Sequence, residues 1–81
     1  MDVILSPAQC RAARGWLDIS QAELARRATV GVSTVRDFEA GRKTPIRNNL
    51  EAMRRELAAS GVEPTFDAEG LPAGIRVVSG C

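Results

Sequence analysis

The pattern of hydrophobic and polar positions predicts four helices in the first three quarters of the chain. Two of them begin at capping boxes, Ser6-Pro7-Ala8-Gln9 and Ser20-Gln21-Ala22-Glu23, in which a serine is followed three residues later by a side chain that can bond back to it. Gly41 and Gly61 supply stop signals after the third and fourth helical patterns. We therefore predict helices over about residues 7–17, 21–28, 32–40 and 46–60.

Apolar residues at helical spacing predict one core shared by these helices. Cys10 is expected there as a small buried side chain, whereas Trp16 is either a satellite core contact or a partly exposed helix residue. The other residues expected to face the core are Leu5, Ala13, Leu17, Leu24, Ala25, Ala28, Val35, Phe38, Ile46, Leu50, Met53 and Leu57.

The pattern changes after Gly61. Val62–Phe66 and Ile75–Val78 read as short strands, separated by a turn-rich connector. An isolated hairpin is marginal in water, so it must pack on the helices, pair with another chain or fray. The predicted fold is mainly α: a helical unit at 1–61 and a short C-terminal β-hairpin at 62–81, which is a candidate dimerisation element.

Length and composition exclude several classes of function. The 81 residues suit one small domain, contain no histidine, and hold two cysteines at opposite ends, Cys10 and Cys81. This leaves no zinc-binding set and no cysteine–histidine catalytic pair. No apolar stretch is long enough to span a membrane, and the acidic start Met1–Leu5 is unlike a signal peptide. We expect a cytoplasmic protein that is not an enzyme and uses no metal, cofactor or small-molecule ligand.

Charge is unevenly distributed along the chain. The formal net charge is +1, but residues 26–55 hold eight Lys/Arg and three Asp/Glu, which gives this segment +5. Such a segment is typical of a one-sided anion-binding surface. The alternative is that the arginines only solubilise exposed helix faces.

Two short predicted helices joined by a tight turn, at 21–28 and 32–40, form a helix-turn-helix pattern. In the second of them, Val35 and Phe38 face away from the more polar side. A purely structural helix of this length could look the same. The residues that share its outward face are Val32, Ser33, Arg36, Asp37 and Ala40.

Two sequence blocks in this region carry a family resemblance. The block Ser20-Gln21-Ala22-Glu23-Leu24-Ala25 is followed at a fixed distance by Glu39, Gly41 and Pro45 in an E-x-G-x-x-x-P pattern. Together they resemble the lambda repressor/Cro-type (XRE-like) helix-turn-helix family, and the resemblance covers about residues 5–60. It implies a compact four-helix, lambda-repressor-like domain that binds double-stranded DNA.

The resemblance implies DNA-backbone contacts from four residues. Gln21 resembles the glutamine that contacts a phosphate and braces the base-reading side chains, at a helix N-terminus suited to anions. In this family the helix that corresponds to the predicted helix 32–40 is the recognition helix, and the loop after it touches the DNA backbone. Three residues flank that loop here: Arg42, Lys43 and Asn48. The alternatives are an ordinary first helical residue for Gln21 and a solvated loop for the others.

The resemblance also implies base-reading roles on the predicted third helix. Val32 can contact a thymine methyl group, Ser33 can pair with several base edges or a phosphate, and Arg36 can bind guanine or a phosphate. Asp37 can accept a hydrogen bond from cytosine, but phosphates would repel its carboxylate, so it could instead neutralise Arg36 or reject wrong sites.

The sequence departs from the family pattern at the turn. Thr29 stands where the family has a glycine, and Gly31 stands where it has a Ser/Thr cap. A glycine shifted by two places would keep a flexible turn, and the lost cap would cost a few tenths of a kcal/mol. Arg14 and Glu39 resemble a structural ion pair of the family, and we expect them to join the first helix to the third.

One recognition helix reads only a few base pairs, so specificity calls for two half-sites and a homodimer. Either the fourth helix or the hairpin at 62–81 could form the dimer, and we favour the hairpin. The leading hypothesis is a sequence-specific, dimeric repressor or autoregulating switch on a palindromic operator. The alternative is an antitoxin-like or antiactivator-like module that holds a protein partner. Cys81 is expected to be a free terminal thiol.

Overall fold

The computed structural model describes residues 3–78, which form four helices followed by an antiparallel two-stranded sheet. This is the predicted mainly helical fold with a C-terminal hairpin; Cys81 lies outside the described residues. The elements are α1 (Pro7–Leu17), α2 (Gln21–Ala28), α3 (Val32–Glu39), α4 (Arg47–Ala59), β1 (Val62–Phe66) and β2 (Pro72–Val77).

Both hydrogen bonds of the first capping box form, whereas only one of the two forms in the second. Ser6 Oγ accepts a hydrogen bond from the Gln9 amide at 3.1 Å, and Gln9 Oε1 accepts from the Ser6 amide at 2.9 Å. Ser20 Oγ accepts from the Glu23 amide at 3.0 Å, but the Glu23 carboxylate binds two arginines on its own helix instead of returning to Ser20. The prediction of a second complete capping box was therefore wrong.

In the turn between α2 and α3, Thr29 is the residue that adopts the left-handed conformation. Thr29 has φ 59° and ψ 46°, a conformation that is costly for a β-branched residue, and its amide donates to the Ala25 and Arg26 carbonyls. Gly31 has φ −69° and caps α3 in an extended conformation without a side-chain hydrogen bond. Gly31 therefore does not supply the left-handed residue of this turn, and the prediction that a glycine shifted by two places does so was wrong.

The core lies where the helical pattern predicts it except at Ile46, and Trp16 is the exposed helix residue that the sequence allowed as one of two alternatives. Leu24, Met53 and Leu57 are among the fully buried side chains, and Leu17 is partly buried against them. Trp16 and Ile46 are 64% and 69% exposed. Placing Ile46 in the core was wrong because it is the N-cap of α4, in an extended conformation before the face that Leu50 and Met53 bury begins.

The hairpin packs on the helices through one buried polar side chain. Gln9 is 3% exposed, and its Nε2 donates to the Thr65 carbonyl at 2.8 Å and to the Gly74 carbonyl at 2.9 Å. Val62, at the start of β1, is buried in the helical core. Three possibilities were left open for the hairpin, and the structure shows the first of them: the hairpin packs on the helices of its own chain.

Candidate nucleic-acid interface

The third helix presents a mixed polar and apolar surface to solvent. Val35 and Phe38 are buried and fix the rotation of α3 on the core, so the opposite side of this helix faces solvent. Val32 is 43% exposed, and Ser33 and Arg36 are exposed as well. Three of the predicted base-reading residues therefore lie on the accessible side of this helix.

Asp37, the fourth of them, is half-buried and pairs with the following loop. Its Oδ1 lies 3.3 Å from Arg42 Nη1, and its backbone carbonyl accepts from the Arg42 amide at 2.9 Å. The suggestion that Asp37 neutralises Arg36 was wrong, because residues one apart on a helix point in different directions. The loop after α3 is thus tied to the helix at Asp37.

A shallow groove of about 260 Å³ lies between α3, this loop and the start of α4. It brings Ser33 and Asp37 next to Lys43, whereas Asn48 does not line it. Sequence reasoning missed Ile46 and Asn49 here. The only signal for Ile46 is its position directly after Pro45, which fixes where the chain enters α4. The lining residues are Ser33, Thr34, Asp37, Lys43, Thr44, Pro45, Ile46 and Asn49.

Gln21 is the first residue of α2 and is half-buried. Its side-chain Nε2 donates to Glu39 Oε1 at 3.1 Å. Since an amide nitrogen has two donor hydrogens, this bond orients the side chain and leaves one donor for another acceptor. The predicted phosphate-contacting glutamine is therefore braced by the end of α3.

Glu39 is 4% exposed and is fully satisfied by hydrogen bonds. Arg14 donates to both of its carboxylate oxygens, from Nη2 to Oε1 at 2.7 Å and from Nε to Oε2 at 2.8 Å. The Cys10 thiol donates to Oε2 at 3.1 Å, and Arg11 bonds to the Glu39 backbone carbonyl. The predicted pair Arg14 and Glu39 thus lies inside a larger buried network.

This network shifts the pKa values of its members. Burial alone would raise the pKa of Glu39, but the hydrogen bonds from Arg14, Gln21 and Cys10 outweigh it and hold the pKa below its ordinary value. Burial raises the pKa of the Cys10 thiol, and the neighbouring Glu39 carboxylate raises it further. The carboxylate is therefore charged and the thiol neutral near pH 7.

The basic segment divides into paired and unpaired cations. Glu23 pairs with Arg26 and Arg27, Glu51 pairs with Arg54, and Asp37 pairs with Arg42. Within residues 3–78, no salt bridge involves four other basic residues, and two of these lie on α3 or on the groove beside it. The four are Arg36, Lys43, Arg47 and Arg55.

Residues 3–78 contain neither a metal-binding cluster nor a membrane-spanning helix. No group of three or more His, Cys, Asp or Glu side chains could hold a metal ion there. None of the helices described is both long enough and apolar enough to cross a membrane.

Fold and site together define a DNA-binding helix-turn-helix protein. A family model described as helix-turn-helix matches residues 11–60, which is more than half of the sequence. The chain belongs to this lambda repressor/Cro-type helix-turn-helix family of DNA-binding regulators.

The chain is also similar to a solved structure. The solution structure of the DNA-binding domain of the P22 C2 repressor (residues 1–76), determined by nuclear magnetic resonance, matches with 29% sequence identity and a TM-score of 0.61. The match covers 72% of this chain and 76% of that one. No curated protein matches the chain.

Proposed function

We propose that this protein is a sequence-specific transcriptional regulator that acts in the cytoplasm, binding a palindromic operator as a homodimer with α3 in the major groove. The observation that carries the proposal is the exposed face of α3. There Arg36 has no carboxylate partner among the described residues, and Ser33 lines the same groove as Lys43.

Base reading is assigned to four side chains on this face. Exposed Val32 suits a thymine methyl group, and Ser33 suits a base edge or a phosphate. Arg36 is the strongest candidate, because a guanidinium can bind the O6 and N7 of guanine together. Asp37 would accept from a cytosine amino group, and its link to Arg42 reduces its repulsion from phosphates.

Phosphate contacts are assigned to residues around this helix. Gln21 would bind through the donor hydrogen that Glu39 does not use, close to the free amides at the start of α2. Lys43 and Asn48 are exposed, and Arg42 stays 67% exposed while it pairs with Asp37. Such contacts fix the register of the helix on DNA and carry no sequence information.

Dimerisation follows from the size of one recognition helix. Two half-sites one helical turn apart, at about 34–36 Å, would double the length of sequence read. A two-fold dimer on a two-fold operator uses the same surface twice. Such a dimer would repress a promoter, including its own, by covering it.

The direct test is a fluorescence-anisotropy titration at two salt concentrations. The probes are the DNA upstream of the protein's own gene and a scrambled duplex of equal length. We expect tight binding to the first alone, weakening steeply with salt.

Arg36→Ala should lose about 1–3 kcal/mol of binding to the preferred site. Arg55→Ala is the matched control on α4, since Arg55 also lacks a salt bridge within residues 3–78 but lines a different groove, and it should change affinity little.

A protein-interaction module is the second candidate, and one observation favours it. The Arg42–Asp37 pair leaves a carboxylate on the predicted reading face and offsets one of the cations beside it. Equal, weak binding to both duplexes would favour this candidate, or an operator elsewhere.

A further inference from the structure

A groove of about 580 Å³ lies beside the loop that follows α3. Its walls come from four separate parts of the chain: residues 3–7, the end of α3 with residues 41–44, the first turn of α4, and the start of β2. The local sequence does not predict such a site, because the groove exists only where these four segments meet. Its volume lies in the range of about 300–1,000 Å³ that is typical of small-molecule sites.

The floor of this groove is apolar. Leu5, Phe38 and Leu50 are all buried, and each lines the groove from a different segment. Val3, which is half-buried, and Pro72, which is exposed, line it as well. A ligand with an apolar body would therefore gain free energy by leaving water for this surface.

The charges that line the groove have one sign. Arg42 and Lys43 line it, whereas no Asp or Glu among the described residues does. Arg42 pairs with Asp37, but Lys43 forms no salt bridge within residues 3–78. The start of α1 lies here too, since its N-cap Ser6 and its first residue Pro7 line the groove, and the N-terminal end of a helix favours negative charge. A ligand that carries an anionic group therefore fits this groove.

We propose that this groove binds an amphipathic monocarboxylate, which is a molecule with one carboxylate and an aliphatic or aromatic body. The body lies on the apolar floor, and the carboxylate pairs with Lys43. A dicarboxylate would leave a second charge on the apolar floor, and an amine would be repelled by Arg42 and Lys43. This proposal departs from the expectation that the protein uses no small-molecule ligand.

The loop after α3 connects this groove to the surface that is assigned to DNA. Lys43 and Thr44 line both this groove and the groove beside Ser33 and Asp37. A carboxylate paired with Lys43 competes with a DNA phosphate for the same ammonium group and adds a negative charge close to the DNA. The ligand should therefore weaken DNA binding, and DNA should weaken ligand binding by the same factor. This coupling rests on the proposed function, whereas the site itself does not.

Sodium octanoate is the probe for the site, because it joins a carboxylate to a medium-length aliphatic chain. Acetate supplies the charge without the chain, and octylamine supplies the chain with the opposite charge. In two-dimensional proton–nitrogen NMR spectra of the full chain, octanoate should produce saturable shifts at the amides of Leu5, Gly41 and Thr44. Acetate and octylamine should bind at least about tenfold more weakly.

Two cations provide a matched pair of variants. Lys43→Gln removes the cation that is assigned to the carboxylate. Arg47→Gln removes an exposed cation that also lacks a salt bridge within residues 3–78 but does not line the groove. Lys43→Gln should weaken octanoate binding about threefold or more, as expected for an exposed ion pair, and Arg47→Gln should leave it unchanged.

A third variant tests the apolar part of the site and its coupling to DNA. Val3→Phe fills the groove from a residue that is not assigned to DNA, so it should lose the octanoate shifts and still bind the upstream duplex as wild type does. An NMR spectrum with wild-type dispersion would show that it is folded. Saturating octanoate should weaken wild-type binding to this duplex about tenfold relative to an equal concentration of acetate, which matches the ionic strength. Val3→Phe should show no such difference.

The outcomes separate this proposal from the proposed function. Shifts that do not saturate, equal binding of octanoate and acetate, or octanoate binding that survives in Val3→Phe would overturn the site. If octanoate binds the groove but wild type shows no sequence preference among duplexes, the site holds and the regulator fails. If wild type binds an operator but not octanoate, the regulator holds and the site fails. If both bind and octanoate leaves DNA affinity unchanged, the coupling is overturned.

Discussion

The guanidinium of Arg14 on α1 binds the buried carboxylate of Glu39 at the end of α3 through two hydrogen bonds, of 2.7 and 2.8 Å. Gln21 and Cys10 bind the same carboxylate. One side chain therefore connects the end of the recognition helix to α1 and to the first residue of α2. The orientation of α3 and that of Gln21, the proposed phosphate contact, are set by the same group.

We predict that Glu39→Ala loses stability before it loses sequence preference. Removing one partner of a buried pair leaves the other charge without compensation, at a cost of about 3–5 kcal/mol. Thermal melting measures this loss, with Glu51→Ala as the control, since Glu51 forms a more exposed pair with Arg54. At a temperature where the variant is still folded, its preference among duplexes should match the wild type. A melting curve unchanged by Glu39→Ala would contradict this account.

Acid should weaken the fold through the same carboxylate. Because the pKa of Glu39 is lower in the folded protein than its ordinary value of 4.5, the unfolded chain binds this proton first. The stabilisation is complete above about pH 4.5 and is lost as the pH falls through the lowered folded pKa. Urea unfolding at a series of pH values should show a steeper acid loss for wild type than for Glu39→Gln. Parallel curves for the two proteins would rule out this role.

Thr29→Gly should stabilise the protein. The left-handed conformation costs an ordinary residue about 1–2 kcal/mol and costs glycine almost nothing, although glycine also loses more entropy on folding. We expect a net gain of about 1 kcal/mol in the free energy of unfolding. Asp18→Gly is the matched control, since Asp18 also has positive φ, 56°, but aspartate tolerates that conformation better than threonine. A lower melting temperature for Thr29→Gly than for wild type would contradict the claim that the left-handed conformation of Thr29 is strained.

Cys10 should be unreactive in the native protein. Its thiol is buried, its pKa is raised by burial, and its hydrogen is bonded to Glu39, so little thiolate is available. With Cys81 replaced by serine, labelling by a thiol-specific reagent at pH 8 should follow the rate or extent of unfolding. Immediate labelling of this variant under native conditions would show that the thiol is accessible.

The helices and the core were predictable because caps and apolar spacing are local signals. Ser6 and Gln9 define the start of α1 within four residues, and Leu24 and Met53 lie on clearly apolar faces. Ile46 was wrongly assigned to the core because, in the sequence, an apolar residue one position before a helix resembles the first residue inside it. Only the observed N-cap conformation distinguishes the two.

The contacts between distant residues could not be predicted in the same way. Gln9 closes its own capping box and also binds two carbonyls of the hairpin, 56 and 65 residues further along the chain. Nothing in the local sequence indicates the second role. Asp37 pairs with Arg42 because the chain turns back after Gly41, which has φ 77°. The face of α3 could be derived from spacing, but the partners of its side chains depend on how the following loop folds.

The most direct test of the central claim is selection of duplexes from a random pool by the wild-type protein and by Arg36→Ala. The account predicts that wild type enriches an inverted repeat with half-sites about one helical turn apart. Arg36→Ala should enrich the same repeat with the preference for one base pair lost at symmetric positions. Enrichment of no motif by wild type, or of an identical motif by Arg36→Ala, would contradict base reading by this face of α3.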